Sequence, residues 1–286
     1  MRAAVANCSH ATQATARPAA IAFFHAPPTA AIPAMSRARP PRNGSTPTVL
    51  LVHGAFADGS VWAGVIAELQ SGGIEAIALA NPLRGLSSDA AHIASAASGI
   101  DGPVMLAGHC YGGAVITAAG ATADNVVGLV YVAGFALDGE ESVLDIIGRF
   151  PGSRLLPALR PATLHGAKDG SSVELYLDRE AYPRVFAAGM PLREAAAAAA
   201  AQRPITAAAF EEKSPAAAWK TVQSWYMIAT EDQVIPARAQ RFMAQRAGSQ
   251  ATEIHASHAV ALTHPAAVAE QIAAAASAPL RKQPRR

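Results

Sequence analysis

The chain has 286 residues, which fits one large domain or two small ones, and 51% of them are apolar, which is ample material for a core. Of its 23 basic residues, five Arg lie in residues 1–46 and four basic residues lie in 281–286. Residues 47–280 contain the remaining 14 basic residues and all 21 acidic residues, so this body of the chain has a negative net charge and is a poor candidate for binding nucleic acid.

The two ends of the chain differ from its body. Residues 1–46 are rich in Ala, Pro, Arg and Ser, contain no acidic residue and lack hydrophobic periodicity, so we expect a disordered tail, with a translation start at Met35 as the alternative. Residues 281–286 are expected to form a basic C-terminal tail. Two cysteines, Cys8 and Cys110, cannot form a disulfide framework, and no apolar run reaches the roughly 18–20 residues of a membrane-spanning helix. We therefore expect a cytoplasmic protein that does not bind membranes.

The body, residues 47–280, alternates between short apolar strands and helical patterns. Strands are predicted at 48–53, 74–79, 104–107, 126–132, 224–229 and 252–255, and helices at 60–70, 89–98, 114–121, 236–246 and 265–276. Helix-like pieces with several prolines fill residues 136–215. The pattern predicts the α/β class: a mostly parallel, six-stranded sheet flanked by helices. A helical cap of about 136–215 would be inserted after the fourth strand and cover the carboxyl edge of the sheet, where such sheets bind ligands.

Residues 108–112 read Gly-His-Cys-Tyr-Gly, between the third strand and a helix. This is the setting of the G-x-S-x-G nucleophile elbow, with Cys110 in the position of the Ser. The nucleophile occupies a tight turn, so its neighbours must be small. A lone Cys in an α/β chain is usually a small buried hydrophobic residue, but the flanking pattern favours a nucleophile here.

A nucleophile of this kind needs a base, and the base needs an acid that orients it. The chain order in this fold is nucleophile, acid, His. Asp232, in the loop after the strand 224–229, is the predicted acid, and Glu231 is the alternative. His258, in the loop after the last strand, is the predicted base, and His264 is the alternative.

Two backbone N–H groups are predicted to bind the oxyanion: that of Tyr111, directly after the nucleophile, and that of Ala55, in the loop after the first strand. His53 would hold that loop. Phe56 and Trp62, together with Tyr111 and the cap, are expected to line the substrate pocket.

These motifs in this order resemble the α/β-hydrolase superfamily, and most closely the small bacterial hydrolases related to plant methylesterases and hydroxynitrile lyases. The resemblance covers about residues 47–277 and includes YVAGFALDGEES at 131–142 and SHAVALTHP at 257–265. Similar members usually have Ser where this chain has Cys110. Cys occurs naturally there in dienelactone hydrolases and polyester synthases, and replacement of a Ser would give the same sequence.

The resemblance implies an esterase-type hydrolase that cleaves a small, mostly apolar ester, thioester or lactone through an acyl-enzyme on Cys110. The alternative is an acyltransferase that uses the same thioester. A hydroxynitrile-lyase-like activity ranks lower, because Gly54 and Ala259 stand where those lyases have Thr and Lys. A non-catalytic ligand-binding protein also ranks lower, because the triad is intact. We expect no cofactor, no metal and a small-molecule substrate; a homodimer is left open.

Overall fold

The computed structural model describes residues 46–164 and 172–279. The predicted tails, 1–46 and 281–286, lie outside this range except for Thr46, and so stay predictions. No helix among the residues described is long and apolar enough to cross a membrane.

Six strands form the main sheet, and every neighbouring pair is parallel. Its order is β2-β1-β3-β4-β8-β9. The predicted six-stranded α/β architecture is therefore confirmed. The strands of the structure are β1 Thr48–Val52, β2 Ala76–Leu79, β3 Val104–Cys110, β4 Val126–Gly134, β5 Leu159–Leu164, β6 Ser172–Leu177, β7 Ile205–Thr206, β8 Ser224–Ala229 and β9 Gln250–Ile254.

Helices cover the sheet, and the central strands form the core. Every residue of β3 and β8 is buried, whereas the edge strand β9 is mostly exposed. Near-continuous apolar sequences are typical of parallel strands that are covered on both faces. The helices are α1 Ala63–Ser71, α2 Leu86–Ser98, α3 Tyr111–Ala119, α4 Val143–Arg149, α5 Tyr182–Val185, α6 Leu192–Ala201, α7 Ala207–Glu211, α8 Ala237–Arg246, α9 Val260–Thr263 and α10 Pro265–Ser277, with 3-10 turns at Gly59–Trp62, Leu156–Ala158 and Ala218–Lys220.

The segment between β4 and β8 contains both helices and strands, so the prediction of a purely helical cap is wrong. β5, β6 and β7 form a second, antiparallel sheet in that order. In β6 the apolar residues Val173, Leu175 and Leu177 alternate with polar ones, which is the period of a strand. β5 contains Pro161, which an edge strand tolerates because one side of it makes no ladder hydrogen bonds.

The inserted segment is joined to the loops at the carboxyl edge of the main sheet. The Phe56 N–H donates to the Arg203 carbonyl (3.1 Å), and the Thr206 N–H donates to the Leu83 carbonyl (3.1 Å). On the other side, the N–H of Ala259 donates to the Phe186 carbonyl (3.0 Å). The inserted segment therefore contacts the loops that follow β1, β2 and β9.

Candidate active site

The elbow is a sharp turn between β3 and α3. Cys110 has φ 55° and ψ −124°, a conformation that costs a non-glycine residue about 1–3 kcal/mol and persists only where the surroundings enforce it. One such constraint is a hydrogen bond from the Phe135 N–H to the Cys110 carbonyl (3.0 Å). The turn puts the sulfur at the carboxyl edge of the sheet, at the beginning of α3.

Two glycines allow this close packing. A Cβ at Gly112 would lie 2.3 Å from the Val52 carbonyl oxygen, so any side chain there would push α3 away from β1. A Cβ at Gly54 would lie 2.4 Å from the Cβ of Cys110 and 3.2 Å from the Tyr111 nitrogen. The loop after β1 therefore passes directly beside the predicted nucleophile.

Asp232 is held by four hydrogen bonds in the loop after β8. One carboxylate oxygen accepts from the backbone N–H groups of Val234 (2.7 Å) and Ile235 (2.9 Å). The other accepts from Gln240 Nε2 (2.8 Å) and contacts His258 Nδ1 (2.7 Å). The four partners fill the acceptor positions of the carboxylate and fix its orientation toward the imidazole.

His258 interacts with both of the other predicted triad members, Asp232 and Cys110. Its Nδ1 is taken by Asp232, and its Nε2 has no hydrogen-bond partner among the residues described. Burial works to lower the pKa of His258, but the neighbouring Asp232 and the Cys110 sulfur outweigh it and raise the pKa to about 10. At neutral pH the imidazole therefore carries a proton on Nε2, the nitrogen that Asp232 leaves free, and in the site this proton comes from the thiol.

His109 lies against the base, a contact that the sequence does not reveal. Its Nε2 donates to the His258 carbonyl (2.8 Å), and the two ring centroids lie 4.6 Å apart. Burial and the nearby His258 lower the pKa of His109 to about 3, so its ring stays neutral. His109 therefore holds the His258 backbone as a hydrogen-bond donor without adding charge.

The loop that carries the predicted oxyanion donor Ala55 passes beside the other predicted donor, since a Cβ at Gly54 would lie 3.2 Å from the Tyr111 nitrogen. Ala55 and Tyr111 are both buried, and neither N–H donates to another of the residues described. Tyr111 is the first residue of α3, where an N–H has no partner within the helix. Its hydroxyl donates to Asp89 (2.9 Å), which anchors the residue after the nucleophile. His53 holds the β1 loop, since its Nε2 accepts from the Asn81 N–H (3.0 Å).

The alternative acid and base lie elsewhere. Glu231 is 3.5 Å from His255, and both side chains are exposed. His264 is half-buried and shares a hydrogen bond with the hydroxyl of its neighbour Thr263 (2.9 Å). Neither has a contact with Cys110 among those of the residues described.

Aromatic side chains enclose the site. Phe56 packs edge-on against Phe210 of α7 (6.4 Å between centroids), and Phe186 packs edge-on against His258 (4.9 Å). Trp62 packs edge-on against His109 (6.3 Å between centroids), the ring that contacts the base. The three predicted triad residues are nearly inaccessible: Cys110 is 2% exposed, Asp232 5% and His258 0%. Among the residues described, no three His, Cys, Asp or Glu side chains are grouped so as to hold a metal ion.

Comparison with known proteins identifies a family. The model of the "Alpha/beta hydrolase family" matches residues 49–271. No protein with curated function matches the chain.

Solved structures share the fold. A pyrethroid hydrolase from Sphingobium faniae is 22% identical with a TM-score of 0.66, over 82% of this chain and 99% of that one. A polyneuridine aldehyde esterase is 18% identical with a TM-score of 0.68, over 79% and 97%. A methylesterase from Arabidopsis is 17% identical with a TM-score of 0.66, over 81% and 99%. At these identities the likeness concerns the fold alone.

Proposed function

Because the chain belongs to the alpha/beta hydrolase family, we propose that it hydrolyses a small, mostly apolar ester, thioester or lactone through an acyl-enzyme on Cys110. One observation carries the proposal: the Asp232–His258 pair, 2.7 Å long, leaves Nε2 unpaired beside a Cys at the strained elbow. A nucleophile, a base and an acid that orients the base form the arrangement that performs nucleophilic catalysis in enzymes of several unrelated folds.

In the proposed acylation, His258 Nε2 holds the proton of the Cys110 thiol, and the sulfur attacks the carbonyl carbon of the substrate. The carbonyl oxygen becomes an oxyanion, which accepts hydrogen bonds from the N–H groups of Ala55 and Tyr111. The intermediate then collapses: the bond to the leaving group breaks, and the leaving alcohol or thiol takes the proton from His258. A thioester on Cys110 is left.

Hydrolysis completes the cycle. His258 removes a proton from a water molecule, which attacks the thioester carbonyl carbon. When the second intermediate collapses, the carboxylic acid leaves and the proton returns to the sulfur. Asp232 orients the imidazole and stabilises the imidazolium in each half of the reaction.

The surroundings of the site support an apolar substrate. Phe56, Tyr182, Phe186 and Phe210 are buried near the reacting groups, and aromatic walls favour apolar and aromatic acyl or leaving groups. The similar structures include an enzyme named a pyrethroid hydrolase and two named esterases. Their names agree with ester cleavage as the proposed reaction.

Acyl transfer is the second candidate, and the burial of the triad favours it. With Cys110 only 2% exposed, a bound acceptor alcohol or thiol could reach the thioester in place of water. The two reactions differ only in the second nucleophile. Adding an acceptor and measuring the ratio of transfer to hydrolysis products separates them.

The decisive experiment is to incubate the protein with p-nitrophenyl esters of graded chain length and look for an acyl adduct by mass spectrometry. We expect one acyl group on Cys110, p-nitrophenolate release, and neither with Cys110→Ala. Cys110→Ser should retain ester hydrolysis, because the site has the layout of a serine site. Turnover by Cys110→Ala at the wild-type rate, or an adduct on another residue, would contradict the proposal.

A further inference from the structure

The oxyanion loop after β1 has a strained residue, Phe56, directly after the predicted donor Ala55. Phe56 has φ 61°, in the left-handed region that bulky residues avoid. Such a conformation persists only where neighbouring groups hold it. The N–H of Ala55 belongs to the peptide group directly before the two peptide groups of Phe56, so a loop held at Phe56 also restricts how this N–H can turn.

Both polar backbone groups of Phe56 are held by the inserted segment. The Phe56 N–H donates to the Arg203 carbonyl (3.1 Å), and the Phe56 carbonyl accepts from the hydroxyl of Tyr182 (3.2 Å). The first bond uses a backbone carbonyl that any residue at 203 would supply. The second depends on one side chain.

Tyr182 is the first residue of α5, and its side chain is buried. Burial raises the pKa of its phenol and the nearby Asp58 adds to this, so the hydroxyl stays protonated and able to donate.

Phe186, the residue directly after this short helix, contacts the base. The Tyr182 ring stacks on Phe186 (4.8 Å between centroids), which packs edge-on against His258. The Phe186 carbonyl accepts from the N–H of Ala259, next to the base in the chain. α5 is therefore tied both to the oxyanion loop and to the loop of the base.

We propose that Tyr182 is a positioning residue for the oxyanion site: its hydroxyl holds the Phe56 carbonyl, and so keeps the Ala55 N–H directed at the carbonyl oxygen of the substrate. This inference rests on the proposed function. Tyr182 acts through Phe56 and touches none of the reacting atoms in this scheme. It follows that Tyr182 matters for acylation, which forms an oxyanion, and not for alkylation of the same sulfur, which forms none.

The test compares two reactions of Cys110 in wild type, Tyr182→Phe and Tyr176→Phe. Tyr176 lies in the same inserted segment, and its hydroxyl donates to Glu174. Tyr176→Phe is therefore the matched control, because it removes a tyrosine hydroxyl that makes no contact with the elbow in the part of the chain that the structure describes. The rate of acylation is measured as the release of p-nitrophenolate in the first turnover. The rate of alkylation is measured by mass spectrometry as the labelling of Cys110 with iodoacetamide.

For Tyr182→Phe we expect acylation to slow by about 10-fold, below the 10²–10³ of removing an oxyanion donor outright. We expect KM and the alkylation rate to stay within about twofold of wild type, and Tyr176→Phe to match wild type in both reactions. Unchanged acylation in Tyr182→Phe, or an equal loss in acylation and alkylation, would overturn the inference. Failure of the proposed function looks different, because wild type itself would then form no acyl group on Cys110.

A second variant tests the route through Phe56. Glycine adopts a positive φ without strain, so in a Phe56→Gly background the loop depends less on the Tyr182 hydroxyl. Tyr182→Phe should then cost less acylation rate than it does in wild type. An equal cost in both backgrounds would show that Tyr182 acts by another route, and would overturn the inference.

Discussion

At the scale of single residues, two histidines near the end of the chain have different environments. His258 is buried, paired with Asp232 and free at Nε2, whereas His264 is half-buried and bonded to Thr263. We expect His258→Ala to lower kcat by about 10³-fold or more, because no other base of the residues described reaches the sulfur. His264→Ala should keep near-wild-type kcat. Steady-state kinetics with a p-nitrophenyl ester measure both, and the reverse pattern would refute the assignment of the base.

Gln240 is a further residue on which the triad depends. Its Nε2 donates to Asp232 (2.8 Å) and to the Ile235 carbonyl (2.7 Å), and its Oε1 accepts from the Ala229 N–H (3.0 Å). Gln240→Ala would remove these buried hydrogen bonds to the Ile235 carbonyl, the Ala229 N–H and Asp232, so we expect the free energy of unfolding to fall by about 1–3 kcal/mol.

We also expect Gln240→Ala to lower kcat by less than Asp232→Ala does, because the carboxylate would remain but lose one constraint. Gln245→Ala, on the exposed side of the same helix, is the control and should change neither quantity. Urea denaturation and steady-state kinetics give the two values. A Gln240→Ala protein as stable as wild type would mean that water replaces these bonds.

The sequence indicates the triad residues but not their supports. Cys110, Asp232 and His258 each stand in a local pattern: an elbow, a loop after a strand, and a loop before the last helix. Gln240 lies eight residues beyond Asp232 inside an ordinary helical pattern, and the contact of His109 with the His258 carbonyl joins residues 149 positions apart. Such contacts depend on how separate elements pack, and no local pattern encodes that packing.

At the scale of elements, the loop after β1 and the elbow need a glycine between them. A Cβ at Gly54 would lie 2.4 Å from the Cβ of Cys110, so Gly54→Ala must displace the loop that carries Ala55. We expect acylation to slow by about 10²-fold or more, since an oxyanion donor would move away. Gly59→Ala is the matched control, because its Cβ would meet only the Cβ of Ala78, at an ordinary 3.6 Å. Equal p-nitrophenolate release by both variants would show that the loop adapts.

The strands of the main sheet were predictable because their apolar runs are bounded by glycine and polar loops. The second sheet was missed for a physical reason. β6 alternates apolar and polar residues over only six positions, and β7 has two residues, so their pairing depends on contacts across the inserted segment. β3, the strand that leads into the elbow, extends to Cys110, beyond the predicted end at 107, because its pairing with β4 continues to Gly134.

At the scale of the whole molecule, buried histidines link folding to pH in two directions. His109 has its pKa lowered to about 3, against an ordinary value of 6.5. Below pH 6.5 the unfolded chain binds a proton that the folded protein excludes, so stability falls as the pH drops from 6.5 toward 3. His258 has its pKa raised to about 10. Its stabilising contribution is complete below pH 6.5 and is lost as the pH rises from 6.5 toward 10.

The histidines therefore favour a stability maximum near pH 6.5. A variant can separate the loss of stability below this pH, the acid limb of the curve, from the loss above it, the alkaline limb. Gln can place an N–H where His109 has its Nε2–H, so His109→Gln keeps the donor to the His258 carbonyl and removes the titrating ring. We expect melting temperatures from pH 4 to 10 to show a shallower acid limb for His109→Gln and the same alkaline limb as wild type. The reason is that the variant removes the proton that His109 excludes, while buried His53, whose pKa is also lowered, still contributes to the loss of stability in acid. The alkaline limb belongs to His258 with its neighbours Asp232 and Cys110, which the variant keeps. Parallel acid limbs in the two proteins would mean that groups other than His109 determine the loss of stability in acid.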